Sequence, residues 1–425
     1  MNFKTLLFKN FDTGQTIFKN TVWLGLAEII SRGLVFFLNI LLIRYLSIID
    51  YGKFGFAFAF IAIFSFGDLG ISTLTIREVA KNNSLVKKYL DHFFTLKLIL
   101  ALFTLVLILA ATQFLNKPME IKFLIYSAAV FTALMSLMVF FQTIFQAFEK
   151  MEYIAMSKLA YSIGLLAIFV FMIWQKYPLA TLFLGYIGAV IFAFAITLFL
   201  IKKKITVFSP RINFDFWKNS LRESWPFGLI DLLAGGFLSI SIIQISFLAG
   251  DKEIGFYNVA YQLIAVLTIL IGLFYNAFFS TLSKKYQQSK SEFYQLLRYF
   301  TPRIIIFCLA LSLFLFLIAP QLILKLYGEK YSESINIARI LLIAISISFI
   351  NTPYFEGLKI AGQQKECLKP MFWGISVGLL LNFPLVLFLG SRGAAISLIF
   401  SSLIITVLII SRFKKFKNID CVIEK

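Results

Sequence analysis

Two charged side chains and an asparagine lie within the first strongly apolar stretch of the chain, from Trp23 to Arg44. Glu28 and Arg32 are four residues apart and Asn39 follows seven residues later, so a helix places all three on one narrow face. Such a helix spans a hydrocarbon layer of about 30 Å, with Arg32 near its middle. Charges at that depth almost always face a protein interior or a water-filled cavity. The spacing predicts either a self-neutralising Glu28–Arg32 pair or a cavity in which Arg32 meets an anionic substrate.

A further acid, Asp231, lies in a later apolar stretch with no basic residue one turn away. An acid in that position needs a partner from another helix, a proton or a bound cation. We interpret Asp231, together with Glu28, as a candidate site for a coupling Na⁺ or H⁺, with pairing to Arg32 as the structural alternative. The three cysteines and the single histidine lack zinc, haem or disulfide spacing, so we expect no metal site and no resident cofactor.

Polar residues also share single faces of other apolar stretches. Asp68 lies one turn before Ser72, and Asn258 and Gln262 begin a polar stripe further along the chain. Such stripes either bond neighbouring helices or line a wet cavity that passes sugar hydroxyls. The predicted substrate-binding residues of the cavity are Arg32, Glu28, Asn39, Asp68, Arg77, Asn258 and Gln262.

The composition places these residues in an all-α integral membrane protein. The chain has 425 residues, of which 60% are hydrophobic and 14% charged, and its mean hydropathy is +0.87. No soluble fold covers that much apolar surface with so few charges. About twelve membrane helices are predicted, at 21–43, 54–76, 92–115, 121–148, 153–174, 179–201, 226–249, 255–281, 303–324, 335–358, 371–390 and 393–412.

The distribution of lysine and arginine predicts the orientation. With both termini cytoplasmic, 28 of the 40 basic residues fall in inner segments and 10 in outer loops. The same bias accounts for the formal net charge of +19 without a nucleic-acid partner. Lys97 and Lys158 lie about one turn inside their helices and are predicted to snorkel to the inner surface.

The predicted domains are an N-terminal lobe of helices 1–6 (1–201), a basic amphipathic cytoplasmic connector (202–224) and a C-terminal lobe of helices 7–12 (225–425). The connector and the segment 284–302 are both predicted to form short helices on the inner leaflet. A weak internal echo links Asp50–Phe60 to Glu253–Leu263 at an offset of 203 residues, which pairs Gly52 with Gly255. Such an echo is typical of transporters built from two repeats.

The opening of the chain, KNTVWLGLAEIISRGLVFFLNILLIRYLSIIDYGKFGFAFAF followed by FGDLGISTLTIREVAK, resembles the polysaccharide biosynthesis/export proteins. These are Wzx-type flippases of lipid-linked oligosaccharides such as O-antigen, within the multidrug/oligosaccharidyl-lipid/polysaccharide (MOP) superfamily. The positions that carry the resemblance are Arg44-Tyr45-Leu46, Tyr51-Gly52, Asp68-Leu69-Gly70, Arg77-Glu78, Ser224-Trp225-Pro226 and Gly255-Phe256-Tyr257.

The resemblance implies two six-helix lobes in a MATE-like V around a central cavity. It implies that the protein flips an undecaprenyl-pyrophosphate-linked repeat unit to the outer leaflet of the bacterial cytoplasmic (inner) membrane by alternating access. Arg32 is the best candidate to meet pyrophosphate or acidic sugars. The expected partners are this glycan and membrane lipids, with a glycan polymerase and a chain-length regulator as candidate protein partners of a monomer.

Three alternatives stay open from the sequence. An ion-coupled multidrug exporter of the same superfamily would use Asp231 and Glu28 as coupling sites. A glycan polymerase or polyprenyl-phosphate sugar transferase needs a catalytic constellation that the motifs do not provide, so we do not expect an enzyme. A non-transporting scaffold for a glycan-assembly complex has no sequence signature to test.

Overall fold

The computed structural model describes the backbone of residues 13–64 and 68–423, and side chains of residues 25–64, 68–224, 238–268, 282, 285–286, 288–363 and 365–417. All regular structure in these ranges is helical, which confirms the predicted all-α class. In chain order the α-helices are α1 (Thr13–Tyr45), α2 (Ile48–Ala62), α3 (Ile71–Lys81), α4 (Val86–Gln113), α5 (Met119–Ala147), α6 (Met151–Trp174), α7 (Leu179–Lys204), α8 (Phe214–Leu248), α9 (Asp251–Gln288), α10 (Lys290–Tyr327), α11 (Ser334–Ile360), α12 (Gln364–Leu389) and α13 (Ser391–Ile423).

Nine of the helices in the described residues are long and apolar enough to cross a membrane, so the chain is a multi-pass membrane protein. They are α1 from Gly25 onward, α4 to α7 and α10 to α13. Their outward surfaces are apolar: on α4, for example, Leu102 and Val106 are each 62% exposed. The count of twelve spans stays a prediction.

The second predicted span, 54–76, is not one helix. Helix α2 ends at Ala62 and α3 begins only at Ile71, so the prediction of a continuous helix there is wrong. Leu69 (φ 44°) and Gly70 (φ 75°) both adopt positive φ, a conformation that glycine tolerates and that interrupts a right-handed helix. This interruption places Asp68 outside any helix, just before the first turn of α3.

The two short helices predicted on the inner leaflet, in 202–224 and 284–302, are not separate elements, so this part of the prediction is wrong. Each segment forms the beginning of a longer helix: 214–224 belongs to α8 and 290–302 to α10. Part of each apolar face is covered by protein, because Trp217 (5% exposed) and Phe293 (fully buried) each belong to a hydrophobic core, although Phe214 is 75% exposed. Amphipathic periodicity does not distinguish a helix that lies on lipid from one that packs against its own fold.

The chain forms two compact units. Unit 1 comprises Met1–Tyr45 and Ala57–Gly236, and unit 2 comprises Leu46–Phe56 and Phe237–Lys425. Helices α2 and α8 therefore contribute residues to both units. The lobe boundaries derived from the sequence remain a prediction.

Each unit has its own core of buried side chains. In unit 1 one cluster of the described residues joins α3, α4, α5 and the end of α7, with Phe93, Phe141 and Phe145 fully buried. In unit 2 a smaller cluster joins α9, α10, α11 and α13 around Phe293 and Phe413. The unit 1 core thus holds α4, the helix that carries Lys97, against α3 and α5.

Candidate functional site

Glu28 on α1 holds two cations at once in unit 1. Its Oε1 accepts a hydrogen bond from Arg32 Nε at 2.5 Å, and its Oε2 accepts one from Lys158 Nζ at 2.6 Å. Arg32 lies one turn further along α1, whereas Lys158 comes from α6, which packs against α1. We name Glu28, Arg32 and Lys158 the charge triad.

The charge triad carries one negative and two positive charges within spanning helices. Glu28 is the least accessible side chain, at 19% exposed, while Lys158 is 33% and Arg32 50% exposed. Mutual pairing lowers the free-energy cost of charges in such surroundings. The net charge of +1 and the accessible guanidinium of Arg32 suit an anionic group.

The triad bears directly on two predictions from the sequence. The Glu28–Arg32 pair is present, but Glu28 has a second cationic partner that the pattern did not indicate. Lys158, predicted to snorkel to the inner surface, is 33% exposed and its ammonium donates to Glu28; its position relative to the inner surface stays a prediction. Asn39 lies two turns beyond Arg32 on the same helix and is half-buried.

A second ion pair lies at the interruption between α2 and α3. Asp68 Oδ1 accepts hydrogen bonds from Ser72 Oγ at 2.5 Å and from Lys97 Nζ of α4. Lys97 is only 2% exposed, so the prediction that it snorkels to the surface is wrong. Asp68 is 42% exposed and borders a mostly apolar cavity of about 190 Å³ that Thr132 and Ser136 of α5 also line.

Arg77 lies at the centre of a surface network of ion pairs in unit 1. Its Nε donates to Glu78 Oε1 at 2.7 Å and its Nη2 donates to Glu223 Oε2 at 2.8 Å, which ties α3 to the first turns of α8. These hydrogen bonds raise the pKa of Arg77, and the bond from Arg77 is the main cause that lowers the pKa of Glu78. The network accounts for Arg77 without a substrate.

The predicted polar residues of unit 2 have other surroundings. Gln262 Nε2 donates to Tyr51 Oη at 3.3 Å, so α9 is linked to α2. The Asn258 amide lies against Gly55, where an added Cβ would be 1.7 Å from Asn258 Nδ2. Asp231, the candidate coupling acid, lies outside the residues whose side chains are described.

The structure thus groups the predicted residues into separate clusters. Glu28 and Arg32 lie together on α1. Asp68 pairs with Lys97 of α4, and Arg77 pairs with Glu223 of α8. Asn258 and Gln262 lie in unit 2.

Comparison with known proteins shows the family. Residues 17–285, well over half of the chain, match the family described as polysaccharide biosynthesis proteins. The chain belongs to this family. This match confirms that the chain is a polysaccharide biosynthesis protein, as the resemblance of its opening residues predicted.

A sequence relative of this polysaccharide biosynthesis protein comes from Shigella dysenteriae. That relative is provisionally named an O-antigen transporter and is 29% identical over 280 residues, which cover 64% of this chain and 68% of the relative.

Two solved structures share its fold. A lipid II flippase, MurJ, in an inward closed conformation has a TM-score of 0.75 at 14% identity, covering 93% of this chain and 90% of that one. An inward-facing multidrug resistance MATE transporter of the MOP superfamily has a TM-score of 0.72 at 15% identity, covering 91% and 94%. The predicted MATE-like fold class is therefore confirmed. These named relatives are transporters or flippases, in agreement with the prediction of a protein that is not an enzyme.

Sequence reasoning missed two members of the charged clusters in this polysaccharide biosynthesis protein. Lys158 is 130 residues from Glu28, and Lys97 is 29 residues from Asp68. Each lysine lies well inside an apolar helix, and the cost of a charge there is itself a signal that a carboxylate partner exists. The sequence gives no means of choosing which carboxylate.

Proposed function

We propose that the protein is a flippase that moves an undecaprenyl-pyrophosphate-linked oligosaccharide from the cytoplasmic to the outer leaflet by alternating access. The proposal places the chain in the bacterial cytoplasmic membrane with both termini inside. Three comparisons support it: the polysaccharide biosynthesis family, the relative provisionally named an O-antigen transporter, and the fold shared with a lipid II flippase.

The observation that carries the proposal is the charge triad. A lipid-linked glycan has an anionic pyrophosphate between its tail and its sugars, so a carrier needs cations at membrane depth. Arg32 and Lys158 supply two cations from different helices, and Glu28 holds both within 2.6 Å. Arginine binds phosphate oxygens in a bidentate way, while lysine binds them as a point charge.

Glu28 then has a defined role as a counterion that the substrate replaces. Without substrate it neutralises part of the cationic charge, so the two cations do not stand unpaired. When pyrophosphate oxygens contact Arg32 and Lys158, Glu28 loses hydrogen bonds and becomes able to take up a proton or a cation. Coupling to H⁺ or Na⁺ through Glu28, with Asp231 as the second candidate, follows from this exchange.

The test is export by a strain that lacks its own flippase. Expression of the chain should restore surface glycan, and vesicles containing the purified protein should move a fluorescent undecaprenyl-pyrophosphate glycan to the opposite leaflet. Expression that restores neither, in protein that is inserted in the membrane, would contradict the proposal.

The same strains separate the proposal from drug export, which the shared fold with a multidrug MATE transporter keeps as a second candidate. A flippase restores glycan and leaves cationic-dye efflux unchanged. Raised dye efflux with no restored glycan would establish the exporter instead.

A further inference from the structure

A polar cavity of about 300 Å³ lies at one end of unit 2, where α12 ends and α9, α11 and α13 begin. This volume lies at the small end of the range typical of small-molecule sites. Its lining combines the charged groups Glu253, Glu333 and Arg392 with the aromatic rings of Phe256 and Phe388. The lysine and arginine distribution assigns this end to the outer face of the membrane.

Glu253 is fixed in the wall of this cavity. Its Oε2 accepts hydrogen bonds from Ser391 N at 2.9 Å and from Ser391 Oγ at 2.5 Å. The turn before Ser391 is built around the carboxylate, because a Cβ on Gly390 (φ 58°) would lie 2.7 Å from Glu253 Oε2. Both bonds use Oε2, so among the described residues Oε1 remains an acceptor for a ligand.

Arg392 and Glu333 add donors and acceptors without adding net charge. Arg392 Nη2 donates to Glu333 Oε2, and the two side chains are 45% and 56% exposed. With Glu253, the charged side chains of the lining sum to a net charge of −1, so the cavity repels phosphate. A neutral ligand with many hydroxyl groups uses both its acceptors and its donors.

The rim supplies an apolar face. Phe388, the last but one residue of α12, is 80% exposed, whereas Phe256 is 5% exposed in the wall. A sugar ring has hydroxyls around its edge and C–H groups on its faces, so it matches polar groups on one side and an aromatic ring on the other.

We propose that this cavity binds a single neutral hexose ring. Hydroxyl groups of the sugar donate to Glu253 and Glu333 and accept from Arg392, and Phe388 covers one face of the ring. Its role rests on the proposed function: the cavity holds a sugar of the transported glycan at the outer face.

The experiment is saturation-transfer NMR on the full-length protein in nanodiscs, with the methyl glycosides of glucose, galactose and N-acetylglucosamine as probes. At least one glycoside should receive saturation from the wild-type protein. Glu333→Gln and Arg392→Gln should each raise the Kd for that glycoside by about tenfold, the loss of affinity expected for one hydrogen bond to a charged group. Phe388→Ala should also weaken binding, and its exposed position means that the fold does not depend on it.

The matched control is Arg412→Gln. Arg412 also lies on α13 and pairs with a glutamate of a neighbouring helix, Glu366, at 3.0 Å, but outside the cavity. The Arg412→Gln substitution should leave sugar binding unchanged. The absence of saturation transfer to every glycoside, equal losses in the control, or transfer to phosphoethanolamine instead of to sugars would each overturn the cavity assignment.

Export in cells separates this proposal from the flippase function. Restored surface glycan with no sugar binding in nanodiscs overturns the sugar site alone. The opposite outcome is also informative. If the wild-type protein binds the sugar and the Glu333 and Arg392 variants do not, but the wild type exports no glycan, the sugar site is supported and the proposed function is overturned.

Discussion

Gly52 and Gly255 lie against each other where α2 crosses α9 in unit 2. A Cβ on Gly52 would be 3.2 Å from Gly255 N and 1.7 Å from Asp251 O, and one on Gly255 would be 2.3 Å from Ile48 O. These are the two glycines that the internal echo pairs at an offset of 203 residues. Small residues let two helix backbones approach this closely.

The first prediction concerns this crossing. Gly255→Ala should destabilise the protein by about 1–3 kcal/mol or more, because the new methyl group meets backbone atoms that cannot move aside. Thermal unfolding of the purified protein measures the effect. Gly33→Ala is the matched control, since nothing lies within 4 Å of its added Cβ and alanine favours a helix. A Gly255 variant as stable as the Gly33 variant would show that the crossing is looser than described.

The second prediction concerns the charge triad. Arg32→Ala and Lys158→Ala should each reduce surface glycan by at least about tenfold, the loss expected when one charge-assisted contact to substrate is removed. Glycan on intact cells is the measurement, with membrane insertion checked by fluorescence of a fused tag. The exposed Lys87→Ala serves as the control. Normal glycan in both triad variants would rule out a substrate role.

The third prediction separates pairing from function at the interruption between α2 and α3. Asp68→Asn leaves the ammonium of Lys97 buried without a counterion and should cost about 3 kcal/mol of stability. Adding Lys97→Met to Asp68→Asn should recover much of that loss, since no charge remains to be neutralised. A double-mutant cycle in thermal unfolding gives the coupling energy. Additive effects would mean that the two side chains do not interact.

The fourth prediction follows from the lowered pKa of Glu78. The carboxylate has its ordinary pKa of 4.5 when unfolded and a lower pKa beside Arg77 in the folded state. Its contribution to stability is therefore present above pH 4.5 and lost as the pH falls through the folded pKa. The difference in melting temperature between the wild type and Glu78→Gln should shrink between pH 6 and pH 3.5. A constant difference across that range would show that the pair does not stabilise the fold.

The sequence predicted much of the local structure. Apolar length gave membrane helices, and the spacing of Glu28 and Arg32 placed them one turn apart on one helix. The resemblance of the first 90 residues gave the family. The internal echo aligned Gly52 with Gly255 as equivalent repeat positions, but it did not predict that the two are in contact.

Where the sequence failed, the reason was local geometry or distant contacts. Positive φ at Leu69 and Gly70 interrupts a stretch whose apolar pattern is continuous. The apolar pattern around Trp217 and Phe293 is compatible with a lipid surface as well as with a protein core. Only the tertiary structure shows that these two side chains pack in the core.

The sequence by itself determined that charged residues lie inside membrane helices and which of them share a face. Only the tertiary structure decided that Glu28 pairs with Lys158 and that Asp68 pairs with Lys97. The physical reason is that helical periodicity fixes neighbours three or four residues apart, whereas a partner on another helix depends on how the two helices are packed and aligned.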